Sequence, residues 1–187
     1  MVRRAVVSSA SEALILVDEE DCAIGVASKS ECHAGQGVLH RAFSIFIFND
    51  RGELLLQRRS AQKPLWPEYW SNTCCSHPRA GETMDQALER RLWEELGIRC
   101  PLRFLYKFKY HAAFRNVGSE REYCWVYVGY HAGDPNVNLN EIADWRFIGT
   151  GALDGELEEH PDQFTPWLKL EWAEIKKSYL NQILGAA

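Results

Sequence analysis

The segment Asn72-Thr73-Cys74-Cys75-Ser76-His77-Pro78 leads into a helix beginning near Thr83, and this junction constrains the fold more than any other feature of the chain. Thr83 and Gln86 stand at the spacing of a capping box, and Gly97 falls where a left-handed residue closes a helix. A helix over 83–96 therefore has both of its ends specified. The stretch before it is read as extended, so that residues two apart point the same way. Cys75 and His77 then face one cavity while Cys74 faces away from it. That pairing suits a reactive thiol beside a metal ligand.

The remaining elements follow from periodicity. Residues 13–18 and 24–27 are predicted as strands around the acidic turn Glu19-Glu20-Asp21. Phe43 to Phe48 is predicted as a strand, Asn49-Asp50-Arg51-Gly52 as a turn, and Glu53 to Gln57 as the second arm of a hairpin. Leu102 to Tyr110, Tyr123 to Tyr130 and Trp145 to Ile148 also read as strands. Phe164, Trp167, Leu168, Glu171, Trp172, Ile175, Tyr179 and Ile183 recur mostly three or four apart, which predicts one long C-terminal helix. The mixture gives an α/β or α+β class, with a mixed β-sheet sandwiched between helices.

At 187 residues the chain fits one domain, 1–187, with residues 1–12 set apart as a flexible N-terminal extension. Net charge is −5, from 21 basic and 26 acidic residues, and no basic block stands out. This argues against a nucleic-acid partner. A small anionic substrate would need a few placed cations or a metal. No segment approaches the roughly 18 apolar residues of a membrane span, and the run Ala13 to Val17 is too short for the core of a signal peptide. The six cysteines (22, 32, 74, 75, 100 and 124) are scattered in a domain large enough to need no disulfide, which points to free thiols in the cytoplasm.

Three constellations carry candidate chemistry. In Glu120-Arg121-Glu122-Tyr123-Cys124, a strand would put Glu120, Glu122 and Cys124 on one face. Two carboxylates side by side repel unless a cation lies between them, which is the physical argument for a metal. His33 and His40 precede the Phe43 strand, and with His77 they make an imidazole and carboxylate set suited to Mn²⁺, Mg²⁺ or Zn²⁺. The third is Gly81-Glu82 followed by Arg90-Arg91-Leu92-Trp93-Glu94-Glu95-Leu96-Gly97-Ile98. Read blandly, this is a solvated helix end with Arg90–Glu94 and Arg91–Glu95 pairs one turn apart.

That last stretch resembles the Nudix box, through Glu82, Arg90, Leu92, Glu94, Glu95, Gly97 and Ile98. Ser76 stands where the pattern has its leading glycine, and Arg91 where it has a glutamate. The combined set resembles the type I isopentenyl-diphosphate Δ-isomerases of the Nudix superfamily. Its markers run from His33 and His40 through Arg58-Arg59, Lys63, Trp66-Pro67 and the Trp70 to Pro78 stretch. They continue with the altered box, Tyr110, Glu120-x-Glu122-x-Cys124 and Thr165-Pro166-Trp167. The resemblance implies a Nudix-like sheet between helices and interconversion of isopentenyl and dimethylallyl diphosphate through a tertiary carbocation. It implies Cys75 and Glu122 as the acid–base pair, Tyr110 as an assisting hydroxyl, and Trp167 as the π face for the cation. It implies a metal site of His33, His40, His77, Glu120 and Glu122, and a second ion, Mg²⁺, bridging Glu95 and the diphosphate. Arg59, Lys63, Lys29 and Arg91 would hold the diphosphate. The expected partner is a small prenyl diphosphate, and the expected assembly a monomer or weak homodimer. The competing expectations are an ordinary Nudix hydrolase of a nucleoside or other diphosphate, which Arg91 argues against, and a non-enzymatic diphosphate sensor.

Overall fold

The computed structural model describes residues 5–185. Its central strand is β3 (His40–Phe48), buried on both sides. Phe43, Ile45 and Ile47 face Leu88, Leu92 and Leu96 of α2 (Met84–Leu96). Phe46 and Phe48 face the other way, toward Leu168, Trp172 and Ile175 of α4 (Pro166–Ser178). Each such fully buried side chain contributes about 1.5–3 kcal/mol of transfer free energy. The sheet is thus covered by helices on both faces, as the mixed pattern of elements implied.

One edge of β3 pairs in parallel with β8 (Gly118–Tyr130), from His40 opposite Glu122 to Phe48 opposite Tyr130. β8 continues antiparallel into β7 (Leu102–Phe114). The hairpin of β1 (Ala13–Val17) and β2 (Ala23–Ser28) joins at the His40 end of β3. On the other edge β3 meets β4 (Leu54–Arg59) only at Phe48 opposite Leu54. Beyond that pair β4 turns away, to β9 (Ile142–Ile148) and β5 (Trp70–Ser71). The expected hairpin of residues 43–57 is therefore paired only beside its turn and open at its base.

The segment between β5 and β6 (Cys74–Ser76) opens that gap. Thr73 Oγ1 accepts from the Ile47 N–H at 2.9 Å and donates to the Leu55 carbonyl at 2.6 Å, standing in for ladder bonds between the two strands. Asn72 Nδ2 donates to the carbonyls of Ile45 and Cys74, each at 3.2 Å. β6 then pairs with β3, with Cys75 opposite Ser44.

Other elements depart from expectation for local reasons. The C-terminal helix is broken at Tyr179 (φ −130°), whose ring stacks on Tyr106 at 5.4 Å, and it resumes as α5 (Leu180–Leu184). α3 (Thr150–Glu159) fully buries only Leu153, so its apolar stripe was too thin to show. The five-residue α1 (Lys29–His33) is capped by Ser28 and Glu31, a capping-box signal legible in the sequence. β7 and β8 run 13 residues each, longer than their apolar runs. The helix over 83–96 forms as expected, with a reciprocal Thr83–Gln86 box and Gly97 at φ 68°.

Thr73→Val keeps the side-chain shape and leaves the Ile47 N–H and the Leu55 carbonyl without partners. The expected loss of stability is roughly 2–4 kcal/mol, read as a lower urea midpoint at constant slope. An unchanged midpoint would show that these bonds do not hold β3 and β4 in place.

Candidate active site and metal centre

Five side chains from four elements meet at the His40 end of β3. His33 closes α1, His40 opens β3, His77 follows β6, and Glu120 and Glu122 share the buried face of β8. One potential ligand atom from each lies within 4.8 Å of all the others. The imidazole centroids are 4.8–5.2 Å apart. His77 Nε2 lies 2.9 Å from Glu122 Oε1, and His33 Nε2 lies 2.7 Å from Glu120 Oε2. His40 Nδ1 is 2.7 Å from the Val38 carbonyl, which places its proton there and leaves the Nε2 lone pair aimed into the cluster. That Nε2 is buried and has no hydrogen-bond partner among the described residues.

The electrostatics favour an ion. Burial lowers His40 to about 4 and holds His77 well below the usual histidine range, so both imidazoles are neutral at pH 7, the form that can ligate a cation. Burial and the adjacent Glu120 carboxylate push Glu122 well above the normal range. Burial alone would raise Glu120 too, but His33 and His40 hold it down, to about 2. Two buried carboxylates, three imidazoles and an unpartnered Nε2 fit a divalent cation with N and O ligands.

Backbone geometry supports the cluster. A Cβ at Gly118 would collide with the His33 carbonyl oxygen, so only glycine lets α1 approach β8 this closely.

Next to the cluster, Tyr110 of β7 donates to Glu122 Oε2 at 2.6 Å. Cys75 lies beside Trp167, whose indole N–H is 3.1 Å from the sulfur and 2.9 Å from Ser71 Oγ. The Cys75 thiol donates to Asn72 Oδ1 at 2.7 Å. Because both donations of the Asn72 amide go to backbone carbonyls, that oxygen is fixed toward the sulfur. Burial, with Glu171 nearby, pushes the Cys75 thiol up to about 12. Cys74 faces the other way, toward Glu95, as an extended segment requires. Cys124 is buried on the carboxylate face, with its sulfur 3.5 Å from Ser44 Oγ. The six cysteines are free.

The cations gather at the same cavity, which has a volume of about 480 Å³. Lys29, Arg59, Lys63 and Arg91 line it together with Cys75, His33, His77, Glu120, Glu122, Tyr110 and Trp167. Burial, with Lys63 and Arg91 nearby, lowers Lys29 to about 8. Arg59 donates to the carbonyls of Leu65 and Trp66 and lies 5.2 Å from the Trp167 ring centroid. Glu95 is the exception. Its carboxylate is buried behind Arg91, 2.5 Å from Nη2, and is not on the cavity wall.

Two features were not anticipated. Glu141, just before β9, pairs with Lys63 and lies 3.4 Å from Arg91, a counter-ion with no sequence pattern around it to announce it. Residues 5–12, expected as a flexible extension, cover the cationic wall. Arg91 Nη1 donates to the Val7 carbonyl at 2.9 Å, Lys29 Nζ to Ser8 Oγ at 2.6 Å and Asn138 Nδ2 to the Ala5 carbonyl at 2.7 Å. Residues 1–4 of that extension lie outside the described residues.

The fold and site define a class. Residues 38–168 match the family model of the NUDIX domain. A solved structure from Deinococcus radiodurans superposes with a TM-score of 0.66 at 23% identity, over 80% of this chain and 90% of that one. A MutT protein from Methanosarcina mazei gives 0.63 at 16% identity, over 74% and 94%. These two likenesses concern the fold. Within the class, an isopentenyl-diphosphate Delta-isomerase 2 of Photorhabdus laumondii is 44% identical over 158 residues, 84% of this chain and 89% of the relative. An isopentenyl-diphosphate Delta-isomerase 1 of Aromatoleum aromaticum is 46% identical over 156 residues, 83% and 88%. The chain belongs to the isopentenyl-diphosphate Delta-isomerase family of the NUDIX superfamily.

Gly118→Ala is expected to displace His33 and weaken Mn²⁺ binding by about 10–100-fold, a change typical of disturbing the support of a ligand. Calorimetric titration of metal-stripped protein with Mn²⁺ measures it. Wild-type affinity in the variant would mean that His33 is not a ligand.

Proposed function

We propose that this chain interconverts isopentenyl diphosphate and dimethylallyl diphosphate by adding and removing protons through a tertiary carbocation, supplying isoprenoid precursors. The single cavity carries the reading: it joins a half-buried thiol, a carboxyl with a raised proton affinity, an aromatic face and a group of cations. An unactivated alkene is a weak base, so its proton donor has to be poised in a site that excludes water. Cys75 and Glu122 are that acid–base pair, and Tyr110 shares its hydroxyl proton with Glu122. Trp167, held by its indole N–H against Ser71 and Cys75, presents its ring to the cation at about 0.5–2 kcal/mol of stabilisation.

His33, His40, His77, Glu120 and Glu122 would hold Mn²⁺, Mg²⁺ or Zn²⁺, and Glu95 would hold Mg²⁺ once the Arg91 guanidinium moves off its carboxylate. When bound, these ions supply positive charge, which keeps Glu122 ordered and balances the phosphates. Lys29, Arg59, Lys63 and Arg91 orient the diphosphate, with Glu141 as the counter-ion of Lys63 and Arg91 when it is absent. Arg91 in the Glu95 pair favours isomerisation over the hydrolysis of other NUDIX enzymes, because it takes the place of a metal-binding carboxylate. The protein is read as one domain, acting in the cytoplasm as a monomer or weak homodimer on a small prenyl diphosphate, without nucleic acid or membrane.

In D₂O, both the product and the recovered substrate should gain deuterium, followed by mass spectrometry. Isomerisation without solvent label would rule out the protonation route. Cys75→Ala and Glu122→Gln should each lower kcat about 10²–10⁴-fold, since each removes one partner of a general acid–base pair of that worth, while circular dichroism stays native. Substantial turnover in either would remove that residue from the pair.

Lys29 gives a pH dependence. Burial lowers it to about 8, so it is charged below that pH and neutral above it. kcat/KM for isopentenyl diphosphate should therefore fall as pH rises through about 8. Lys29→Arg should move the fall to higher pH, and an unshifted profile would mean that Lys29 does not set it.

A further inference from the structure

One carboxylate stands among the cations of the cavity. Glu120 and Glu122 line the same cavity but belong to the metal cluster, and Glu95 is screened behind Arg91. Glu141 lies on the cationic wall itself, at 3% exposure. One of its oxygens, Oε2, serves two of the cations assigned to the diphosphate: it pairs with Lys63 Nζ and lies 3.4 Å from Arg91 Nη2. Burial would raise Glu141, but Lys63, Arg91 and Lys29 outweigh this and lower it, so the group is a carboxylate at neutral pH. Its backbone is tied down. The Glu141 N–H donates to the Asn138 carbonyl, and the Glu141 carbonyl accepts from the Ser60 N–H, each at 2.9 Å. The Asn138 N–H in turn reaches the Glu95 carbonyl of α2 at 2.7 Å. The turn over 138–141 therefore anchors the carboxylate beside Lys63 and Arg91.

A diphosphate ester carries roughly two to three negative charges at neutral pH. When it takes Lys63 and Arg91 as partners, its oxygens meet an anion that already holds them. Two anions side by side in a buried site are strongly disfavoured unless a cation offsets one of them. Lys63 and Arg91 do not supply that cation, because Glu141 and Glu95 already match their charge. A magnesium complex of the diphosphate brings two positive charges of its own, and the free anion brings none. We propose that Glu141 makes the head of the cavity selective for the magnesium complex of a diphosphate and against the metal-free anion. This rests on the cavity being a diphosphate site. The effect is one of charge, and it does not require Glu141 to coordinate the ion. Glu141 is thus a specificity-determining residue, which sets the form in which the ligand enters. No bond forms or breaks at it.

The test is calorimetric titration with inorganic pyrophosphate, in EDTA and in excess Mg²⁺, of the wild type, Glu141→Gln and Glu141→Asp. The wild type should bind the magnesium complex about 100-fold or more tightly than the free anion. Glu141→Gln should tighten the metal-free titration by about 10–100-fold, the weight of one nearby negative charge in a partly screened site, and move the Mg²⁺ titration by less than about threefold. Glu141→Asp keeps the charge and should keep the discrimination. A merely structural role would weaken both titrations together. Because Glu141→Gln leaves two buried cations short of a partner, the same comparison is made between Lys63→Met and the Lys63→Met, Glu141→Gln double variant, in which neutral groups replace the pair. The double variant should again bind the metal-free anion about 10-fold more tightly than Lys63→Met. Metal-free affinity that is unchanged or weaker once the carboxylate is gone, in a folded variant of either comparison, overturns the proposal. Failure of the wild type to bind pyrophosphate in either buffer is a different result, and it would remove the cavity as a diphosphate site.

Discussion

The site depends on the register of β3 between its two neighbours. Parallel pairing with β8 sets His40 beside Glu122, and antiparallel pairing with β6 sets Ser44 beside Cys75. One strand thus indexes the metal cluster at its start and the thiol four residues later. A slip of one residue on either side would send Glu120 and Glu122, or Cys75, to the opposite face of the sheet. The register is held by burial on both faces, with Phe43, Ile45 and Ile47 against α2 and Phe46 and Phe48 against α4. Thr73 and Asn72 add side-chain bonds to backbone where the β3–β4 ladder has opened. The gap that breaks the hairpin is also what lets the Cys75 strand reach the cavity.

Charge is divided along that cavity. Lys29, Lys63 and Arg91 gather where residues 5–12 cross, and each has a carboxylate near it, from Glu12, Glu141 and Glu95. Around Cys75 and Trp167 the neighbours are Leu65, Trp66 and Phe114, with neutral polar groups aimed at the sulfur, and among the described residues Arg59 is the one cation near the Trp167 ring, at 5.2 Å. A substrate with a charged head and a branched apolar tail matches such a division. The cluster lies next to both regions, because Glu122 contacts His77 on one side and Tyr110 on the other.

Much of this was legible in the sequence where the physics is local. The capping box at Thr83, the left-handed Gly97 and the two-residue alternation of Cys75, His77, Glu120 and Glu122 each depend on neighbours in the chain, and each appears as expected. The single-pair contact of β3 with β4 was not legible, because Thr73 is an ordinary strand residue until its hydroxyl is found bridging two other strands. Glu141 was missed for the same reason: only the fold brings it to Lys63 and Arg91. Tyr179 completes an apolar stripe in the sequence, yet its stacking on Tyr106 ends the helix there. Glu171 belongs to that stripe in the sequence, and only the fold shows it fully buried against Cys124 of β8, at 3.6 Å.

Arg91 shows how one substitution changes a familiar scaffold. A NUDIX helix with a glutamate at this position would crowd another carboxylate against Glu94 and Glu95, and such a group needs metal to exist. Here the guanidinium bonds Glu94 at 3.2 Å and Glu95 at 2.5 Å, and also reaches Glu141 and the Val7 carbonyl. Burial would lower its proton affinity, but Glu95 and Glu141 outweigh this and raise it, so it stays charged. The scaffold's metal-gathering edge has become a cationic wall closed by the N-terminal segment. The paired carboxylates that could hold a metal lie instead on β8, beside the half-buried Cys75 thiol.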